Sequence, residues 1–170
     1  MTELTDWVAA LGTLQETDMK VDRLKQQIAD VPANKEKAQT QLKQYQDEVD
    51  SAKAAVQAEE LKVKKMQGDI DKLTADMRKL QTQSAMIKDN DAYRAMNSEI
   101  ETFVSKISDI EDAEIAALDD VDIALAGLEK AKKHYKKQES LIGDLLSDLD
   151  TRFNNCQKEL LIVEERRIGE

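Results

Sequence analysis

Between residues 38 and 87 an apolar side chain returns every three or four positions without a slip. The seam reads Ala38, Leu42, Tyr45, Val49, Ala52, Val56, Glu59, Val63, Met66, Ile70, Leu73, Met77, Leu80, Ser84 and Ile87, and only Glu59 and Ser84 in it are polar. Such a run of heptads specifies a helix that supercoils against a partner helix. The stripe is narrow, so this segment buries one line of side chains and solvates the rest. A compact globule needs more apolar surface than that. With 35% charged residues and 4% aromatics over 170 residues, the chain cannot supply it and fits a long coiled coil instead.

The partner is found further along the chain. Residues 2–30 read as a first helix, with Leu4, Trp7, Leu11, Leu14, Val21, Leu24 and Ile28 in a stripe interrupted at Asp18. Pro32 then removes the hydrogen bond to the Ile28 carbonyl and crowds that turn, which predicts a kink or short loop at 31–33. A second helix is expected over 34–88, a tip at 89–91 and a third helix over 92–168. At the tip, Asn90 tolerates the left-handed conformation that ends a helix, and Asp can cap the next. The third helix carries its own seam: Tyr93, Met96, Ile100, Phe103, Ile107, Ile110, Glu114, Ala117, Val121, Ala124, Leu128, Ala131, Tyr135, Gln138 and Ile142.

Reversing the chain at Asn90 places seam against seam when paired indices add to 180. Leu73 then meets Ile107, Ile70 meets Ile110, and Tyr45 meets Tyr135. Charge supports this register. The acidic run Asp109, Glu111, Asp112, Glu114, Asp119, Asp120 and Asp122 would flank Lys62, Lys64 and Lys65, and the basic run from Lys130 to Lys137 would flank Asp47, Glu48 and Asp50. Exposed pairs of this kind contribute only about 0.2–1 kcal/mol each, so they select the register more than they stabilise it. Beyond Ile142 the stripe continues as Leu146, Leu149, Phe153, Cys156, Leu160 and Val163 after a stutter that locally unwinds a supercoil. The same rule pairs Val31 with Leu149, Leu24 with Cys156 and Val21 with Leu160. The expected fold is all-α, one long kinked antiparallel coiled-coil hairpin over residues 1–170. Whether the first helix continues the line or folds back at Pro32 is left to tertiary structure.

Several function classes are disfavoured. A net charge of −10 argues against general nucleic-acid affinity. The patch Lys132, Lys133, Lys136 and Lys137 around His134 and Tyr135 could grip RNA, but a solvated face paired with acids on the opposite helix is the simpler reading. One Cys gives no disulfide or multi-Cys metal site, and Cys156 on the seam reads as a buried, inert thiol. No phosphate loop or nucleophile–base arrangement points to an enzyme. Glu59 and Glu114 could form a notch on the seam, yet long side chains that snorkel out or set the register account for them. Neither a signal peptide nor a membrane span is visible, which makes the cytoplasm the default compartment. The pairing rule leaves Leu4, Trp7 and Val8 without partners, and with Leu11 one turn further on they make a candidate protein-docking surface.

Two stretches resemble a bacterial family of coiled-coil hairpins that carry a C-terminal C4-type zinc ribbon. One is Leu11-Gly-Thr-Leu14-Gln15-Glu-Thr-Asp18, continuing to Leu24 and Pro32. The other is Ile87-Lys-Asp-Asn90-Asp-Ala-Tyr93 through Glu99-Ile100-Glu101, although Ala92 stands where the family usually has Glu. The resemblance implies a cytosolic, non-enzymatic adaptor tied to sigma-54 or to a flagellar or type III secretion component, acting as a monomer or weak homodimer. It also allows two alternatives: a nucleic-acid-binding regulator whose specificity lies in the ribbon, and a purely structural oligomeric coil. The four ribbon cysteines have no counterpart among these residues, so no zinc or other cofactor is carried over. Helical patterning up to Ile168-Gly169-Glu170 leads to the expectation that the natural protein, and a ribbon, continue past Glu170. The fold-back is testable directly: Leu73→Cys with Ile107→Cys should cross-link within one molecule, read as a monomeric shift on a non-reducing gel.

Overall fold

A seam of this kind can be dry only if a second helix runs alongside it, and the computed structural model, which describes residues 2–169, has that arrangement. Helix α1 spans Thr2–Ala85 and α2 spans Asn90–Gly169, with no strand among the described residues. Met1 and Glu170, the outer limits of the expected domain, lie outside the described residues. Every seam position from Ala38 to Ile87 is buried or half-buried, and so is every seam position of α2 from Met96 to Ile142. Tyr93 is the exception. It stands 45% exposed in the first turn of α2, where fewer neighbours surround the seam.

Four residues, 86–89, connect the helices. The end of α1 tightens through bonds from the Met86 N–H to the Gln83 carbonyl (3.1 Å) and from the Ile87 N–H to the Ser84 carbonyl (3.2 Å). Asp89 begins α2. Its carbonyl accepts from the Tyr93 N–H at 2.9 Å, and its Oδ1 accepts from the Asp91 N–H at 3.4 Å. The cap expected of an Asp is therefore present. The left-handed residue expected at Asn90 is not, since no described non-glycine residue has positive φ. Asn90 is already helical, and the tight i to i−3 bonds satisfy the carbonyls that a left-handed cap would otherwise serve.

Two compact units divide the chain, Met1–Gln46 with His134–Glu170, and Asp47–Lys133. In the first, Val21, Leu24 and Val163 form a buried cluster against which Cys156 and Leu160 pack. These include the partners that the index rule assigned to Val21 and Leu24. Val31 and Leu149, also an expected pair, line one cleft. Ion pairs flank this seam: Lys20 with Glu159 at 2.9 Å, Lys25 with Glu164 at 3.7 Å, and Lys35 with Asp150. The stutter is visible in the burial. Ile142 is buried, Leu145 is exposed, and the seam resumes at Leu146 and Leu149.

Of the two outcomes open at Pro32, the short loop is not the one found. α1 carries Pro32 inside it, with the residues on either side helical. A proline within a helix costs about 3 kcal/mol. Burial of Val31 one residue before it, and of Leu24 and Ala38 on the same seam, offsets that cost by keeping the segment against α2.

In the second unit the seam is held by Val49, Val56, Val63 and Ala117, all buried. The expected charge pairing differs here. Lys62 donates to Glu59 on its own helix at 3.0 Å, and no residue of the acidic run 109–122 makes an ion pair among the described residues. Long solvated side chains gain too little from a single partner to be held in place. Gly68 lies on the outer face, and a methyl group there would meet nothing within 4 Å. Gly68→Ala should therefore stabilise the protein by about 1 kcal/mol, measurable as a higher midpoint in denaturant unfolding.

Candidate functional site

A two-helix seam leaves little enclosed interior, and most side chains of both helices are exposed. Along α1 the first residue with appreciable cover is Leu14; residues 2–13 are all exposed. Arg167, in the last described turns of α2, sits with its Nε 2.8 Å from Asp18 Oδ1, and residues 2–13 precede that ion pair on α1. Leu4, Trp7, Val8 and Leu11 fall at helical spacing on the uncovered turns, and Trp7 is 63% exposed. Trp7 and Leu11, with Ala10, Thr13 and Leu14, line a shallow cleft. Before Lys20 the chain has four acidic residues, Glu3, Asp6, Glu16 and Asp18, and no Lys or Arg. The four candidates from the sequence are thus brought onto one apolar stripe bordered by carboxylates.

The basic candidates fare differently. Lys132, Lys133, Lys136 and Lys137 are all exposed, but Tyr135 between them is half-buried on the seam and its ring is not free to stack on a base. His134 is not simply a solvated residue. Its ring meets Tyr45 edge to face, centroids 4.9 Å apart at 81°, so the aromatic contact of Tyr45 is with His134 and not, among the described residues, with the Tyr135 ring expected opposite it. Spacing alone could not reveal this, because His134 lies one residue off the seam.

Cys156 is half-buried against the Val21–Leu24–Val163 cluster, and its Sγ lies 3.5 Å from Gln27 Oε1. Glu59 and Glu114 are half-buried at their seam positions. One oxygen of Glu59 accepts from Lys62, while Oε2 is buried with no protein partner. Among the described residues no group of three His, Cys, Asp or Glu is arranged to hold a metal ion, and no helix is long and apolar enough to cross a membrane.

Two long paired helices joined by a short tip define a coiled-coil hairpin, an architecture that fits a structural or protein-interaction role. The chain belongs to the family of the CT398-like coiled coil hairpin domain, whose family model matches residues 14–169. Its fold is similar to that of CT398 from Chlamydia trachomatis, solved at 2.12 Å resolution. The TM-score is 0.80 at 16% sequence identity, covering 99% of this chain and 72% of that one. No curated protein matches the chain significantly. The exposed stripe from Leu4 to Leu11 precedes the matched region.

Glu59 yields a prediction about what the seam tolerates. Glu59→Met should raise stability by on the order of 1 kcal/mol, because it removes a buried oxygen without a partner and fills the same space with apolar atoms. Thermal unfolding followed by circular dichroism measures this.

Proposed function

We propose that this hairpin is a non-catalytic adaptor that docks a protein partner through the apolar stripe Leu4, Trp7, Val8 and Leu11. The observation that carries the reading is the exposure of these four side chains at helical spacing on one stretch of α1. Clusters of large apolar residues centred on a Trp are where binding energy concentrates in protein interfaces, and a lone chain gains nothing by leaving them in water. The partner class follows from the resemblance carried by residues 11–32 and 87–101: sigma-54, or a flagellar or type III secretion component. On this reading the protein works in the cytoplasm as a monomer or weak homodimer, and its seam is satisfied within one chain.

Titration of the full chain against purified sigma-54 and against secretion components tests the assignment. Trp7→Ala should weaken binding about 30-fold, equivalent to roughly 2 kcal/mol, while leaving the melting temperature unchanged because the side chain is already exposed. Unaltered affinity in that variant overturns the docking surface. Absence of binding to either partner class by the unmodified chain removes the named partners.

A further inference from the structure

Helix α2 has a second line of heptad spacing that the hairpin does not use. Positions 104, 108, 111, 115, 118, 122, 125 and 129 follow alternating steps of four and three, parallel to the buried seam and offset from it around the helix. All eight are exposed. Four are large and apolar: Val104, Ile115, Leu118 and Leu125, with Ile115 at 62% and Leu118 at 46% exposure. Three of the others, Glu111, Asp122 and Glu129, are acidic. The whole stripe belongs to the unit Asp47–Lys133.

The charge around it is of one sign. Between Lys106 and Lys130 the chain carries eight acidic residues and no Lys, Arg or His. Within this unit α1 carries Lys53, Lys62, Lys64, Lys65, Lys72, Arg78 and Lys79, and among the described residues none of them makes an ion pair with these carboxylates. Heptad spacing is the pattern that a second helix reads, since it keeps apolar side chains along one line of contact. Apolar residues on two adjoining stripes of one helix are what a helix shows when it is packed on two sides.

We propose that this face of α2 binds an amphipathic helix of a partner protein whose apolar stripe is bordered by Lys and Arg, making a local three-helix packing. The carboxylates select the sign of the partner. They repel a second copy presenting the same face, and they repel anionic lipid or nucleic acid. This surface is separate from the Leu4–Leu11 stripe and does not depend on it.

Fluorescence anisotropy on the full chain tests the proposal. The probe is a labelled peptide of about three heptads with Leu on one stripe and Lys beside it, and the control replaces every Lys with Glu. The Lys peptide should bind and the Glu peptide should not. Ile115→Gln with Leu118→Gln should weaken binding about tenfold or more, and Glu111→Gln with Asp122→Asn should weaken it and flatten its salt dependence. Trp7→Ala should leave it unchanged. All these substitutions are at exposed positions, and helical circular dichroism confirms that each variant is folded. Equal binding of the two peptides, undiminished binding by the Ile115/Leu118 variant, or loss on Trp7→Ala overturns the proposal. So does sedimentation showing a dimer of the unmodified chain that the Ile115/Leu118 variant dissolves, since the occupant is then a second copy.

Discussion

Two helices side by side can exclude water only along the line where they touch, and everything else in this protein depends on that narrow contact. A residue on the line is buried to a degree that a single partner helix permits. Val21, Leu24, Val49, Val56, Val63 and Val163 are nearly inaccessible, whereas Leu73, Met77, Phe103 and Ile107 are only half-buried. The small β-branched and Ala positions draw the backbones together, and the longer side chains fold over the edges of the contact. A seam so thin leaves most of both helices as outer face.

The same constraint explains how the chain tolerates its irregularities. Pro32 does not end α1, because the seam on both sides of it remains engaged through Val31 and Ala38. On α2 the extra step after Ile142 shifts burial from the position of Leu145 to Leu146 and keeps Leu149 inside. Each is a local departure from the heptad that the contact line absorbs without a break in either helix. Glu59 is a departure of a different sort. It gains one bond from Lys62 and leaves an oxygen buried without a partner, a local cost that the neighbouring Val56 and Val63 layers offset.

Membership of the CT398-like coiled coil hairpin family accounts for the fold and leaves the surface to distinguish this chain. Two stretches expose large apolar side chains with carboxylates close by in the sequence. One lies at the start of α1. The other lies along residues 104–129 of α2, where the acidic run lacks the lysine partners that charge patterning led us to expect.

Periodicity is a property of a single helix and is written in its residues. The seams of both helices, the reversal near Asn90, an Asp cap on the second long helix and the gathering of Val21, Leu24, Cys156 and Leu160 in one cluster are all legible in the residues themselves, because apolar side chains at that spacing leave water most readily along one seam. Leu4, Trp7, Val8 and Leu11 were legible as candidates for the same reason, through their lack of a counterpart. What the tertiary structure alone decided was the fate of side chains off the seam and of the backbone at Pro32. Whether a proline bends, breaks or passes depends on the packing energy on either side of it. Whether His134 meets Tyr45, or Lys62 turns to Glu59 and not to α2, depends on where long side chains come to rest once the backbones are set. No local pattern encodes those outcomes, since several arrangements differ by less than the energy of one solvated contact.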